Sequence, residues 1–178
     1  MEIRLLTADD ASEYWRLRLE ALEGDPEAFG SSPEEHKALS IEEVKRRLGA
    51  SGGDFLMAGS FEDGRLIGTA GFYREKGPKV RHKGRIWGVY VTPAHRGSGV
   101  GRKIMALALE RGRVLEGVEQ VLLSVAATQT AATQLYRSLG FEPFGREPRA
   151  LKVGDRYIDE EHLILRLQNP GRSQKPQF

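Results

Sequence analysis

Val89-Tyr90-Val91-Thr92-Pro93-Ala94-His95-Arg96-Gly97-Ser98-Gly99-Val100-Gly101-Arg102 is the stretch on which the fold turns. The apolar run Arg85 to Val91 (RIWGVYV) has strand composition, Thr92-Pro93 stops it, and Gly99 to Glu116 has helical composition. A strand therefore enters a glycine-rich turn that opens a helix. Glycines at 97, 99 and 101 let the backbone turn tightly and aim several N–H groups at one point, to which the helix adds the positive end of its dipole. Such a turn suits phosphate. No Gly-Lys-Ser/Thr closes it as in a P-loop, and its spacing is not the G-x-G-x-x-G of dinucleotide folds.

Upstream, Phe55 to Phe61 and Leu66 to Tyr73 flank Glu62-Asp63-Gly64-Arg65, where Asp-Gly supplies the positive φ angles of a tight hairpin. The basic stretch Glu75 to Gly84, with Gly77-Pro78, reads as a solvated loop. Nearer the N-terminus, Thr7 with Asp10 marks a helix start, and Ala11, Tyr14, Trp15, Arg18 and Leu22 recur at helical spacing, predicting a helix from about Ala8 to Leu22. Glu23 to Pro33 holds two Pro and two Gly and reads as a loop. Ser40 with Glu43 opens a short helix to Leu48, ended by Ser51-Gly52-Gly53. Downstream, Val121 to Val125 is a short buried strand and Ala131 to Leu139 a helix closed by Gly140. Two last strands are expected, Phe144 to Tyr157, broken around Val153-Gly154-Asp155, and His162 to Leu167. The final NPGRSQKPQF reads as a disordered tail, leaving a single domain over residues 1–167.

A length of 178 residues is near the usual size of one domain, and 39% hydrophobic residues with a mean hydropathy of −0.45 are ordinary for a soluble globular chain. No apolar run approaches the roughly 20 residues that span a bilayer. MEIRLLTADD lacks the pattern of a secretory signal, so a cytoplasmic location is expected. With no cysteine, disulfides, thiolate zinc sites and cysteine nucleophiles are excluded, and no metal is expected. The net charge of +2 hides an asymmetry: residues 1–63 balance at −8 and residues 64–113 at +10.

Two motifs together resemble the GCN5-related N-acetyltransferase (GNAT) superfamily. The family's Q/R-x-x-G-x-G/A is matched by Arg96-Gly97-Ser98-Gly99-Val100-Gly101, between a strand and a helix. Its N-x-x-A-x-x-L-Y-x-x-x-G-F is read in Gln129-Thr130-Ala131-Ala132-Thr133-Gln134-Leu135-Tyr136-Arg137-Ser138-Leu139-Gly140-Phe141, with Gln129 in place of the usual Asn. The element order follows the family over about residues 3 to 167. The resemblance implies an α/β (α+β) fold: a mixed central sheet of about six to seven strands, helices on both faces, and a splayed strand pair forming the acyl-CoA cleft.

It also implies an acyltransferase that moves the acetyl group of acetyl-CoA to a primary amine by direct attack, without an acyl-enzyme. By the family pattern the backbone of Val89, Tyr90 and Val91 pairs with the pantetheine, and Arg96, Gly97, Ser98, Gly99, Val100 and Gly101 hold the pyrophosphate. Arg102 and Lys103 are candidates for the 3′-phosphate side, Gln129 for the pantetheine or the helix end. Tyr136 matches the general acid that protonates the departing thiolate. The family often places its base, a Glu, on the strand before the turn, yet Arg85 to Val91 holds no carboxylate. The remaining candidates are Glu34 and Glu35 between the first two helices, Asp159, Glu160 and Glu161 before the last strand, and His82 in the basic loop.

The +10 segment contains the site expected for an anionic co-substrate, and the −8 segment builds much of the acceptor side, which predicts a cationic amine as guest. Polyamine, aminoglycoside, amino-acid derivative, protein N-terminus and lysine all stay open. Nucleic acid fits poorly, because Lys76 to Arg85 lacks interleaved aromatics, and a homodimer is compatible with the family. Two other classes share some of these features: a catalytically silent acyl-CoA-binding sensor of the same fold, and an unrelated nucleotide-phosphate binder, which would make the second motif a coincidence.

Overall fold

The computed structural model describes residues 1–50 and 53–167; the expected helix stop at Ser51-Gly52 and the tail from Gln168 lie outside them. The strands are β1 (Glu2–Leu5), β2 (Phe55–Glu62), β3 (Arg65–Arg74), β4 (Lys83–Val91), β5 (Gln120–Ala126), β6 (Glu142–Val153) and β7 (Arg156–Arg166). The helices are α1 (Ala11–Gly24), α2 (Pro33–Lys37), α3 (Ile41–Gly49), α4 (Val100–Arg113) and α5 (Thr130–Ser138). One seven-stranded sheet has the order β1-β2-β3-β4-β5-β7-β6, antiparallel at every step except the parallel pair β4 and β5.

Local chemistry accounts for most of these boundaries. The Thr7 N–H donates to Asp10 Oδ2 at 2.8 Å, and Arg4 clasps the same carboxylate through both nitrogens at 2.7 Å. This box caps a 3-10 turn at Ala8–Asp10 that leads into α1, so the α-helix proper starts three residues later than the spacing suggests. Ser40 and Glu43 form the reciprocal cap expected of them, at 2.9 and 3.2 Å. Asp63 and Gly64 take positive φ (49° and 78°) and turn β2 into β3.

Three expectations change. The loop from Glu23 to Pro33 leads into α2, whose cap is a third box: Ser32 Oγ accepts the Glu35 N–H at 3.1 Å and Glu35 Oε2 accepts the Ser32 N–H at 2.7 Å. The break at Val153-Gly154-Asp155 is a hairpin turn between two long strands, so Tyr157, Asp159, Glu160 and Glu161 belong to β7 instead of preceding the last strand. The sheet also starts with β1, a four-residue edge strand that pairs with β2; its alternation Glu2-Ile3-Arg4-Leu5, with Ile3 and Leu5 against the core, went unread in the sequence.

Helices cover both faces. On one, Ile104, Met105, Ala108 and Leu109 of α4 and Tyr136 of α5 pack on Phe72, Ile86, Val121, Leu123 and Leu163. On the other, Leu17 and Ala21 of α1 and Val44 and Leu48 of α3 pack on Met57, Leu66 and Tyr90. Both layers remove apolar surface from water, the main favourable term holding the fold. The sheet that separates them carries the site.

Candidate functional site

The parallel pairing of β4 with β5 runs only from Lys83 opposite Gln120 to Arg85 opposite Leu122. Beyond it the strands part. The β5-facing edge of Ile86 to Val91 has no strand partner, and a cleft of about 460 Å³ opens between it and Leu123 to Ala126. Opposite this edge, β4 carries a bulge against β3: Thr69 faces Tyr90 but Gly71 faces Trp87, so one extra residue is accommodated where Gly88 turns to φ +60°. The bulge resets the side-chain alternation. Trp87 and Tyr90, three positions apart, both face the α1 side, while Ile86 and Val89 face α4. An isolated Gly inside a strand pattern is a signal for such a bulge, and sequence reading passed over it.

The glycine-rich turn stands at one end of the cleft. Gly97 (φ +76°) and Gly99 (φ +83°) adopt the left-handed conformation with nothing near a would-be Cβ, so only backbone conformation demands glycine there. Gly101 lies against Leu135, where a Cβ would stand 3.2 Å from the leucine. The first N–H groups of α4 have no intrahelical acceptor and form, with the turn, an anion-binding end. Arg96 is held over the Tyr90 ring, its Nη2 2.5 Å from Asp25 and its Nε donating to the Val91 carbonyl at 3.0 Å. Arg102 also lines the cleft and donates to Ser138 at 2.6 Å, tying α4 to α5.

Other expected contacts fall differently. The Val100 side chain is buried in the core, which leaves only its N–H for a ligand, and the Ser98 hydroxyl donates to the His95 carbonyl at 2.6 Å. Neither side chain lines the cleft, and neither does Lys103. Gln129 does, and its side chain makes no cap to α5.

Tyr136 projects from α5 into the cleft, 6% exposed, edge-on to Phe141 at 6.2 Å. Its hydroxyl has no hydrogen-bond partner among the described residues, and burial raises its pKa well above that of an ordinary phenol. The group is a protonated donor at neutral pH, aimed into an apolar cleft. Across from it, Tyr90 is buried with its hydroxyl 3.2 Å from Glu20; burial first and Glu20 second push its pKa up to about 12.

A second cavity, about 830 Å³, lies on the opposite face of the sheet beneath α1, α2 and α3. Tyr14, Arg18 and Leu22, one turn apart on α1, form one wall; Phe55, Tyr73 and Trp87 form the sheet side. Trp87 lines both cavities, so the cleft and the chamber meet at β4. Gly71 makes room for this indole: a Cβ there would stand 2.5 Å from Trp87 Nε1.

Residues 14–141 match the model of the acetyltransferase (GNAT) family. The chain belongs to the GNAT family. A mycothiol acetyltransferase of Kocuria rhizophila is 34% identical over 125 residues, 65% of this chain and 39% of that protein. The chain spans about two fifths of the length of the mycothiol acetyltransferases it matches. The crystal structure of a GNAT-family acetyltransferase from Streptococcus pneumoniae superposes with a TM-score of 0.84 at 22% identity, covering 93% of this chain and 99% of that one. A phosphinothricin acetyltransferase of Sinorhizobium meliloti, solved in complex with AcCoA, gives 0.81 at 21% identity, covering 99% and 92%. These two likenesses are of fold, and the splayed mixed sheet expected from the GNAT motifs is present.

Among the expected bases of this GNAT chain, the structure brings only Glu35 to a cavity wall, and its carboxylate caps α2. Glu34 lines neither cavity, being an exposed residue on α2. Asp159 accepts the Arg149 N–H at 2.9 Å and Arg146 at 2.9 and 3.1 Å, contacts that lower its pKa. Glu161 turns to the α5 face, 3.7 Å from Arg137, and His82 lines neither cavity. Glu160 is half-buried, and desolvation raises its pKa.

Sequence reading missed the adjacent pair. Ser124 of β5 lines the cleft, and its Oγ lies 2.9 Å from His162 Nδ1 on β7, whose Nε2 is 3.3 Å from Glu147 on β6. The pair spans 38 residues of chain, so no local pattern announces it.

Proposed function

We propose that the protein is an N-acetyltransferase that carries the acetyl group of acetyl-CoA to a primary amine by direct attack in a ternary complex. The observation that carries this reading is the cleft itself: two unpaired strand edges, a glycine-rich helix start at one end, and a buried phenol with no protein partner. Bound acetyl-CoA supplies the thioester and its acetyl group. The open β4 edge at Val89, Tyr90 and Val91 pairs with the pantetheine amides as an added strand would, and one N–H of that edge polarises the thioester carbonyl. The N–H groups from Gly97 to Gly101 receive the pyrophosphate, with Arg102 beside them.

The acceptor enters from the chamber under α1, where Trp87 marks the junction. His162, through Ser124, takes the proton that the ammonium loses before its nitrogen attacks; its Nδ1 faces the Ser124 hydroxyl, and Glu147 orients the ring. The C–N bond forms, the C–S bond breaks as Tyr136 gives its proton to the leaving sulfur, and the second proton lost by the nitrogen restores the Tyr136 hydroxyl. The same reading carries a cytoplasmic location and a single domain over residues 1–167.

The test is thiol release from acetyl-CoA by the purified protein across a panel of small amines and lysine peptides, with Tyr136→Phe as control. Turnover reduced in the variant supports transfer. Tight acetyl-CoA binding without turnover for any amine favours a silent acyl-CoA sensor, and absence of binding overturns the reading.

A further inference from the structure

Resting on the acetyl-transfer reading, we propose that the chamber under α1 to α3 receives a carboxylate of the acceptor on Arg18, so that the acceptor is a small amino acid. Arg18 projects from the middle of α1 into this chamber. Its Nη1 is buried without a hydrogen-bond partner, and the guanidinium makes no ion pair among the described residues. Its one ring contact is the face of Phe29, 4.5 Å from Cζ. Burial pulls the Arg18 pKa down from its ordinary value, as expected for a desolvated cation without a counterion. Buried charges in folded proteins are paired, because desolvation is otherwise uncompensated; a guanidinium left in this state in a chamber is completed by a ligand anion.

No carboxylate of the chamber wall does that work. Asp54 sits between Arg74 and Arg81 at 3.6 Å each, Glu75 meets Arg85 at 2.5 Å, and Glu35 caps α2. Arg47, from α3, also lines the chamber and makes no ion pair among the described residues. The acidic N-terminal segment, expected to draw a cation, is neutralised elsewhere: Asp10 by Arg4, Glu13 and Glu20 by Arg16, Glu23 by Lys37, Asp25 by Arg96. The wall that remains uncompensated is positive, and it selects an anion.

Position narrows the class. A Cβ on Gly88 would stand 3.9 Å from Arg18 Nη1, and Gly88 lines the cleft at the β4 bulge. An anion seated on Arg18 therefore lies within a few ångströms of the edge that presents the acetyl group. A short link between the amine that attacks there and the acid held by Arg18 fits this placement, as in an α-amino acid. The planar fork of a guanidinium matches a carboxylate with two parallel hydrogen bonds, and stacking on Phe29 fixes its plane. Tyr14, Leu22, Leu39 and Val44 give the rest of the chamber apolar walls for a side chain.

The experiment compares individual L-amino acids with their carboxamides, spermidine and a peptide with a free N-terminus, by thiol release and by calorimetric titration into the CoA-loaded protein. The expected result is a kcat/KM at least tenfold higher for an amino acid than for its amide. Arg18→Met should lower the value for the acid by at least a hundredfold and bring the acid-to-amide ratio near one, with Arg18→Lys intermediate and the KM for acetyl-CoA unchanged. The variant should melt no lower than wild type, since the guanidinium removed has no protein hydrogen bond. Equal turnover of acids and amides, preference for spermidine or the peptide, or an Arg18→Met loss equal for acid and amide overturns the proposal. Calorimetry separates the two readings: an amino acid that binds through Arg18 without turnover refutes transfer and keeps the anion site, whereas no amino acid binding refutes the site.

Discussion

Tyr136→Phe removes a single oxygen, and the structure makes its effects separable. The hydroxyl has no protein partner, so its loss strands no buried polar group, and the ring keeps its edge-on contact with Phe141. Stability should change by no more than about 0.5 kcal/mol. A positioned general acid contributes about 10²- to 10⁴-fold, or about 2.7 to 5.4 kcal/mol of barrier at about 1.36 kcal/mol per decade. Burial raises the phenol's pKa, which makes it a weaker acid toward a thiolate, and this argues for the lower half of that range. The same shift keeps Tyr136 protonated beyond pH 10, so a basic limb in kcat below that pH has another origin. The assay is kcat and KM by thiol release, with calorimetric Kd for acetyl-CoA and a melting curve for each protein. A folded variant with unchanged Kd and kcat within threefold of wild type would refute the acid role and leave Tyr136 as a wall of the cleft.

Three further outcomes are expected. His162→Gln should lower kcat/KM by about 10²-fold or more while acetyl-CoA binding holds; a value within threefold of wild type removes the imidazole from the proton path. Gly99→Ala meets no atom within 4 Å, so its cost is the left-handed conformation alone, about 1–2 kcal/mol, and a raised KM for acetyl-CoA should accompany the lower melting temperature; Gly99→Asn should recover part of both. Asp10 has its pKa held below the ordinary carboxylate value, chiefly by Arg4 and also by the Thr7 N–H. Its contribution is complete above the unfolded value and is lost as pH falls through the folded one, so Asp10→Asn should cost about 1.5–3 kcal/mol at pH 7 in denaturant melts and flatten the decline below pH 4.

What was legible in the chain was local. Capping boxes at Thr7/Asp10 and Ser40/Glu43, the Asp63-Gly64 turn and the glycines at 97 and 99 each satisfy backbone groups or φ angles within a few residues, so composition alone announces them. The motif around Tyr136 is likewise one helix face, and it placed the phenol in the cleft. Even Arg18 was visible as a cation within the apolar stripe of the first helix, though nothing local said it would lack a partner.

The rest depended on groups that meet across the fold. The divergence of β4 from β5 after three residue pairs is a property of how two strands distant in the chain pair, and no single strand encodes it. The Gly88 bulge needs β3 as its reference, and only that pairing puts Trp87 and Tyr90 on one face. Whether a carboxylate is free to act is decided by its neighbours: Glu35 is taken by Ser32 and Asp159 by Arg146, while His162 gains its position from Ser124 on another strand. Sequence by itself determined most of the elements, the glycine-rich turn and the family, because hydrogen bonds within a turn depend on adjacent residues. Tertiary structure alone decided which charges are paired and which are left facing a cavity, because desolvation and ion pairing act through space between residues distant in the chain.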